Sequence, residues 1–168
     1  MFQDINKIEN LLFKVVPLKL NELSLLAYDI NNLEESLGYK YNYYPINNDM
    51  KNFFKTQIRS VLKNSNDFHY YTTWLIISKS FNEIIGFFSF KDYSKNKRKI
   101  YATISVNSAY TNLDNSFNNL ILDYLTNNIV FDKLVVETNC PNLDIYKGYG
   151  FTIKDANLFT SSFEKKNG

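Results

Sequence analysis

Leu23, Leu26, Ala27, Ile30, Leu33 and Leu37 recur at three- and four-residue intervals, the spacing of one helix face. Gly38 supplies a stop, and Asn21 with Glu22 behind it reads as the helix start. Before it, residues 13–20 are apolar but broken by Pro17, which predicts an edge strand. A second helical stripe, Met50, Phe53, Phe54, Ile58, Val61 and Leu62, is capped at Asn48 or Asp49 and ends at residues 64–67. The period then changes. Residues 70–78 and 84–90 are rich in β-formers and joined through 79–83, and 100–106 follow the charged turn 94–99. A third helix begins near Ser116, with Phe117, Leu120, Ile121, Tyr124 and Leu125 on one side. Residues 133–138 carry contiguous Leu134, Val135 and Val136, the pattern of a strand covered on both faces. A short helix over 142–147 closes at Gly148 and Gly150. Strands at 151–153 and 158–163 and a polar tail at 164–168 complete the chain. The order β-α-α-β-β-β-α-β-α-β-β predicts one α/β domain over residues 1–168, a mixed sheet with helices on both faces.

Composition agrees with an ordered core. The chain has 168 residues, 45% hydrophobic and 17% aromatic, and a domain of this length buries roughly 70% of its unfolded surface. The net charge of +2 is spread along the sequence, so no basic face for nucleic acid is expected. Cys140 is the only cysteine and His69 the only histidine, which leaves no disulfide and no cysteine-rich or paired-histidine metal site. Residues 1–10 include Asp4 and Glu9 and lack an apolar signal region. No apolar run nears the ~20 residues of a membrane span. The expectation is a soluble cytoplasmic protein.

Two segments carry a family likeness. Residues 139–151 read N-C-P-N-L-D-I-Y-K-G-Y-G-F, placing Asn139, Tyr146, Gly150 and Phe151 after a buried strand. Residues 74–90 form a hairpin whose second strand opens with Ile85 and Gly86. With the element order, these make the chain resemble the GNAT superfamily of N-acyltransferases, in its ribosomal-protein acetyltransferase-like branch, from Phe13 to Phe163. The resemblance implies a mostly antiparallel sheet with one splayed parallel pair, here 100–106 and 133–138. It implies acetyl-CoA as acyl donor, its pantetheine arm paired with the backbone of Ile104, Ser105 and Val106. It implies a primary amine as acceptor, a small molecule or a protein N-terminus, and leaves monomer and homodimer both open.

Acyl transfer needs a neutral amine, a polarised thioester carbonyl, a proton for the leaving thiolate and a held donor. By resemblance Tyr146 is the thiolate-protonating acid; otherwise it is a helix tyrosine packed on the sheet. Asn139 by resemblance orients that tyrosine or bonds the pantetheine; otherwise it opens a turn before Pro141. The family's pyrophosphate loop, basic or Gln then Gly and Gly/Ala, aligns with Ala109, Asn112 and Asp114. The cation is missing, and a carboxylate at Asp114 repels a pyrophosphate by about a kcal/mol or more. Asp114 also reads as an N-cap. The family's strand glutamate aligns with Lys99, so a base is sought by elimination among Glu83, Asp92 and Glu137, each otherwise a solvated carboxylate. His69 titrates in the right range but has no spaced partner and reads as structural. The tyrosines of 39–44 line an acceptor pocket or cover the core. Lys95, Lys97, Arg98 and Lys99 form a solvated turn or a ligand patch. Two functions follow: an acetyl-CoA-dependent N-acyltransferase, or a binding module that keeps the fold without the donor.

Overall fold

The computed structural model describes residues 7–111 and 115–162. Asn112 and Asp114, Phe163 and the 164–168 tail lie outside the described residues. The strands are β1 (Ile8–Glu9), β2 (Phe13–Pro17), β3 (Lys40–Tyr41), β4 (Thr73–Ser78), β5 (Glu83–Lys91), β6 (Lys99–Val106), β7 (Lys133–Thr138), β8 (Phe151–Asp155) and β9 (Leu158–Ser162). The helices are α1 (Leu20–Tyr28), α2 (Ile30–Leu37), α3 (Asn48–Lys63), α4 (Phe117–Asn128) and α5 (Leu143–Gly148). They build one mixed sheet in the order β1-β2-β4-β5-β6-β7-β9-β8, with β3 added beside β5. Pairing is antiparallel except between β6 and β7 and in the two-residue β3–β5 contact.

Helices cover both faces of the sheet. Trp74, Ile76, Phe88, Ile100, Ala102, Ile104 and Val106 pack with Phe117, Ile121, Leu125 and Tyr146 of α4 and α5. Leu75, Ile77 and Ile84 pack on the other side with Leu23, Leu26, Leu33, Phe54 and Val61 of α1, α2 and α3. No residue of β6 or β7 belongs to this second cluster. On that side of the parallel pair Tyr101 and Glu137 are exposed, whereas Val135 is buried.

Local chemistry corrects several sequence expectations. The first helix is two. Asp29 leaves helical geometry at φ −152°, ψ 77°, and its carboxylate accepts from the Asn32 N–H, starting a new helix. Asp29→Ala should cost about 0.5–2 kcal/mol, read as a lowered urea midpoint. The first N-cap is Lys19 rather than Asn21, because the Glu22 carboxylate turns back to the Lys19 N–H at 2.8 Å. The α3 cap is Asn47, not Asn48 or Asp49; its side chain accepts from Met50 N–H at 2.9 Å. On α3 itself Phe53 and Leu62 are exposed, at 44% and 61%, while Gln57 is buried. Gln57 earns that place by accepting the Thr73 hydroxyl of β4. The strand predicted at an edge has β1 outside it, so β2 is penultimate. Leu18 N–H bonds Thr73 O, so the alternation of the ladder turns the Pro17 nitrogen away from β4. Gly38 closes α2 at φ 76°, as its position predicts.

Candidate functional site

The site forms where β6 and β7 stop pairing. Their parallel register runs from Lys99–Lys133 to Ile104–Thr138, and β6 continues to Val106 alone. Asn139 takes over there. Its Oδ1 accepts from Val106 N–H at 3.0 Å and its Nδ2 donates to Val106 O at 2.8 Å. A planar carboxamide thus satisfies both backbone groups of the strand end, as a neighbouring peptide would.

On the other edge of β6, a bulge in β5 sets the spacing. Ile76 pairs with Gly86 and Ile77 with Ile84, so Ile85 is extra. Gly86 then faces Val106, and a Cβ on it would lie 2.1 Å from Ser105 O and 2.8 Å from Val106 Cα. Only glycine allows that approach. Ile85 O also accepts from Asn107 N–H. Ile85 and Gly86, the pair singled out in the sequence, therefore position the end of β6.

A pocket of about 210 Å³ opens at the parting, lined by Thr103, Ile104, Ser105, Glu137, Thr138, Asn139 and Asn157. Asn157 comes from the β8–β9 turn, which is tied to β7 by Asn157 O accepting from Thr138 N–H. The tyrosine loop reaches the pocket through Ser105. Tyr43 shares a 2.5 Å hydroxyl–hydroxyl hydrogen bond with Ser105, and its ring packs edge-on to Phe87 and Tyr44. Asn107 Nδ2 donates to Asn42 O, which holds the loop against the end of β6. Pro45 and the tyrosine run signalled an aromatic loop; its contact with Ser105 has no sequence signature.

Tyr146 approaches from α5 on the helical side. It is fully buried, its ring against Phe151 and Phe159 at 5.1 and 4.6 Å, and its hydroxyl donates to Asn118 Oδ1 at 3.1 Å. Asn118 Nδ2 in turn donates to Cys140 O. Thr138 and Cys140 also border the phenol, so it sits directly behind the last β6–β7 pair. Burial above all, with Cys140 beside it, pushes the phenol well above its ordinary value. Its resting form at neutral pH is therefore the neutral phenol.

The carboxylates sort themselves by place. Glu137 is exposed on β7, beside Thr103 of β6 and Leu158 of β9, and is the only charged side chain lining the pocket. Glu83 is committed to Asn42 Nδ2 and the Tyr110 hydroxyl. Asp92 lies past β5 in a left-handed turn at φ 51°. His69 lies tilted against Tyr70, which stacks on Tyr93, outside the pocket; burial lowers its pKa. In the loop leading to α4, the N–H groups of Ala109, Tyr110 and Thr111 are donated to Asn107 Oδ1, Asn107 O and Ser108 O. The basic stretch splits. Lys95 pairs with Asp67 and Arg98 with Asp132, whereas Lys99 reaches over the Tyr101 ring. Among the described residues no cluster of His, Cys, Asp and Glu could hold a metal ion, and no helix is long and apolar enough to cross a membrane.

Comparison with solved structures decides the architecture. The ribosomal-protein-S5-alanine acetyltransferase from Vibrio fischeri superimposes with a TM-score of 0.59, over 96% of this chain and 99% of that one, at 12% identity. A GNAT-family acetyltransferase from Bacillus anthracis gives 0.53 over 93% and 98%, at 10% identity. This chain has the GNAT fold. The Salmonella typhimurium acetyl transferase that modifies the N-terminal serine of ribosomal protein L7/L12 gives 0.54 over 92% and 97%, at 11% identity. No family model matches the sequence, and no curated protein matches it. The likeness is one of fold.

Proposed function

We propose that the protein is an N-acyltransferase that uses acetyl-CoA to acetylate a primary amine. The observation carrying this reading is the parting of β6 and β7 beyond Ile104–Thr138, with a pocket on one side and the Tyr146 phenol behind the other. The strand end fits the donor's pantetheine arm. Val106 offers one N–H and one C=O to an amide group, and the Asn139 carboxamide already occupies that geometry. Ile104, Ser105 and Val106 would hold the arm, and Asn139 would either yield Val106 to it or bond it directly. Bound acetyl-CoA supplies an acetyl group activated as a thioester. Glu137, in the pocket, takes the proton that the attacking amine gives up. Tyr146 protonates the departing thiolate, and Glu137 and Tyr146 return to their starting forms by proton exchange with solvent, so the proton count balances over the cycle. Ala109, with Asn112 and Asp114, stands in the loop that would meet the pyrophosphate. The cytoplasm, where acetyl-CoA circulates, is the compartment this reading implies.

A second reading, a non-catalytic module on the GNAT fold, is favoured by the amides of residues 109–111, which are all donated within their own turn. Thermal unfolding separates the two. Acetyl-CoA at a hundred times its dissociation constant should add about 2.7 kcal/mol, which raises the midpoint by roughly 5–10 °C in a domain of this size. An unchanged midpoint at millimolar acetyl-CoA removes the transferase and leaves the module.

A further inference from the structure

The face of β6 and β7 turned away from α4 and α5 carries charges in an ordered row. Side chains at alternate positions share a face, so Thr103, Tyr101 and Lys99 of β6 lie beside Glu137, Val135 and Lys133 of β7. The upper part of this row is the pocket with its single carboxylate, Glu137. The lower part is basic. Lys99 Nζ sits 4.7 Å from the Tyr101 ring centroid, and Lys133 is its cross-strand neighbour. Lys154 of β8 also acts on Tyr101, and Lys91 pairs with Tyr101 from β5. Among the described residues none of Lys99, Lys133 and Lys154 makes an ion pair. Tyr101, 40% exposed, is pulled below its ordinary pKa by the Lys99 ammonium, then by Lys133 and Lys154. In the same row the Thr160 hydroxyl, next to Val135, is buried without a hydrogen-bond partner.

We infer that the acceptor is a small zwitterion, an amine whose own carboxylate or phosphate lies about 7 Å from the nitrogen, the two-residue step from Thr103 to Tyr101 at ~3.3 Å per residue. This rests on the acyltransferase reading. The amine meets Glu137, and the anion meets the Lys99 ammonium over Tyr101, with Lys133, the cross-strand neighbour of Lys99, adding positive charge one step farther down. A cation at one end of the row and an anion at the other match its two charges, and an acceptor reversed on the sheet would meet repulsion at both ends. The pocket around Glu137, about 210 Å³, holds roughly seven waters' share of volume, room for the amine end of such a molecule.

The test uses ε-aminocaproate and its carboxamide, which differ in the anion and not in the amine. The full chain, with acetyl-CoA, should acetylate the acid with at least tenfold higher kcat/KM than the amide. Lys99→Glu combined with Lys133→Glu should bring that preference below twofold, whereas Lys51→Gln on α3 should leave it intact. Unfolding midpoints of the variants confirm that each is folded, and Lys99→Gln with Lys133→Gln serves if the charge reversal is not. Three results overturn the inference: equal use of acid and amide, acetylation of neither although acetyl-CoA raises the midpoint, or a peptide amine with acidic side chains preferred over ε-aminocaproate by more than tenfold. An unchanged midpoint with acetyl-CoA instead removes the transferase reading on which the inference stands.

Discussion

Tyr146→Phe is expected to slow acetyl transfer by about 10²- to 10⁴-fold, the usual loss when a positioned proton donor is removed. The phenol is the hydroxyl that stands behind the last β6–β7 pair, and its raised pKa keeps it protonated over the whole working range. A second effect accompanies the first. Asn118 Oδ1 loses its donor in a site without solvent, which costs about 1–3 kcal/mol. Rate and stability must therefore be read apart, by measuring kcat/KM well below the variant's unfolding midpoint. A proton-transfer role predicts that kcat and kcat/KM fall together while the acetyl-CoA-induced rise in midpoint persists. If turnover is unchanged, Tyr146 is a packing residue between Phe151 and Phe159 and the acid lies elsewhere.

Gly86→Ala should damage both fold and site, because the added methyl would meet backbone rather than a side chain that can swing away. Its Cβ would stand 2.1 Å from Ser105 O and 2.9 Å from Val106 Cγ1. Parting the strands to relieve this breaks β5–β6 ladder bonds next to the bulge at Ile85. We expect a loss of about 3 kcal/mol, the upper end for overpacking, seen as a lower urea midpoint. Acetyl transfer should fall below detection even at temperatures where the variant is folded, since Ser105 and Val106 are the residues displaced. A stable, active Gly86→Ala enzyme would show that the close approach of β5 and β6 does not shape the site.

Much of the architecture was legible in the chain. Periodicity placed α3, α4, β5, β6 and β7 within a residue or two, because each buries a continuous stripe or face whose spacing is set by backbone geometry. It failed where one polar side chain outweighed the pattern. The stripe from Leu23 to Leu37 is unbroken, yet Asp29 divides it, because an aspartate offering its carboxylate to the next turn competes with the helix it interrupts. Phe53 and Gln57 exchange their expected places because a hydrogen bond to Thr73 makes a buried glutamine acceptable on α3.

The candidate site divides in the same way. Asn139, Tyr146, Ile85 and Gly86 were visible as a local pattern, since each belongs to a segment whose turn and strand geometry depend on neighbours in sequence. The contact partners were not. Val106 lies 33 residues from Asn139 and Tyr43 lies 62 from Ser105, and no periodicity links positions so far apart. Glu137 was one of three carboxylates that the sequence offered, and nothing in residue order chose among them. The run of Leu134, Val135 and Val136 is buried as its pattern predicts, and only the tertiary structure sets exposed Glu137 on the same face as the lysines farther down. Residue order sufficed for elements, turns and the motif, because those obey short-range sterics and spacing. Which strand ends part, which hydroxyl stands behind them and which charges share a face depended on how distant segments pack, and that is settled only when the sheet closes.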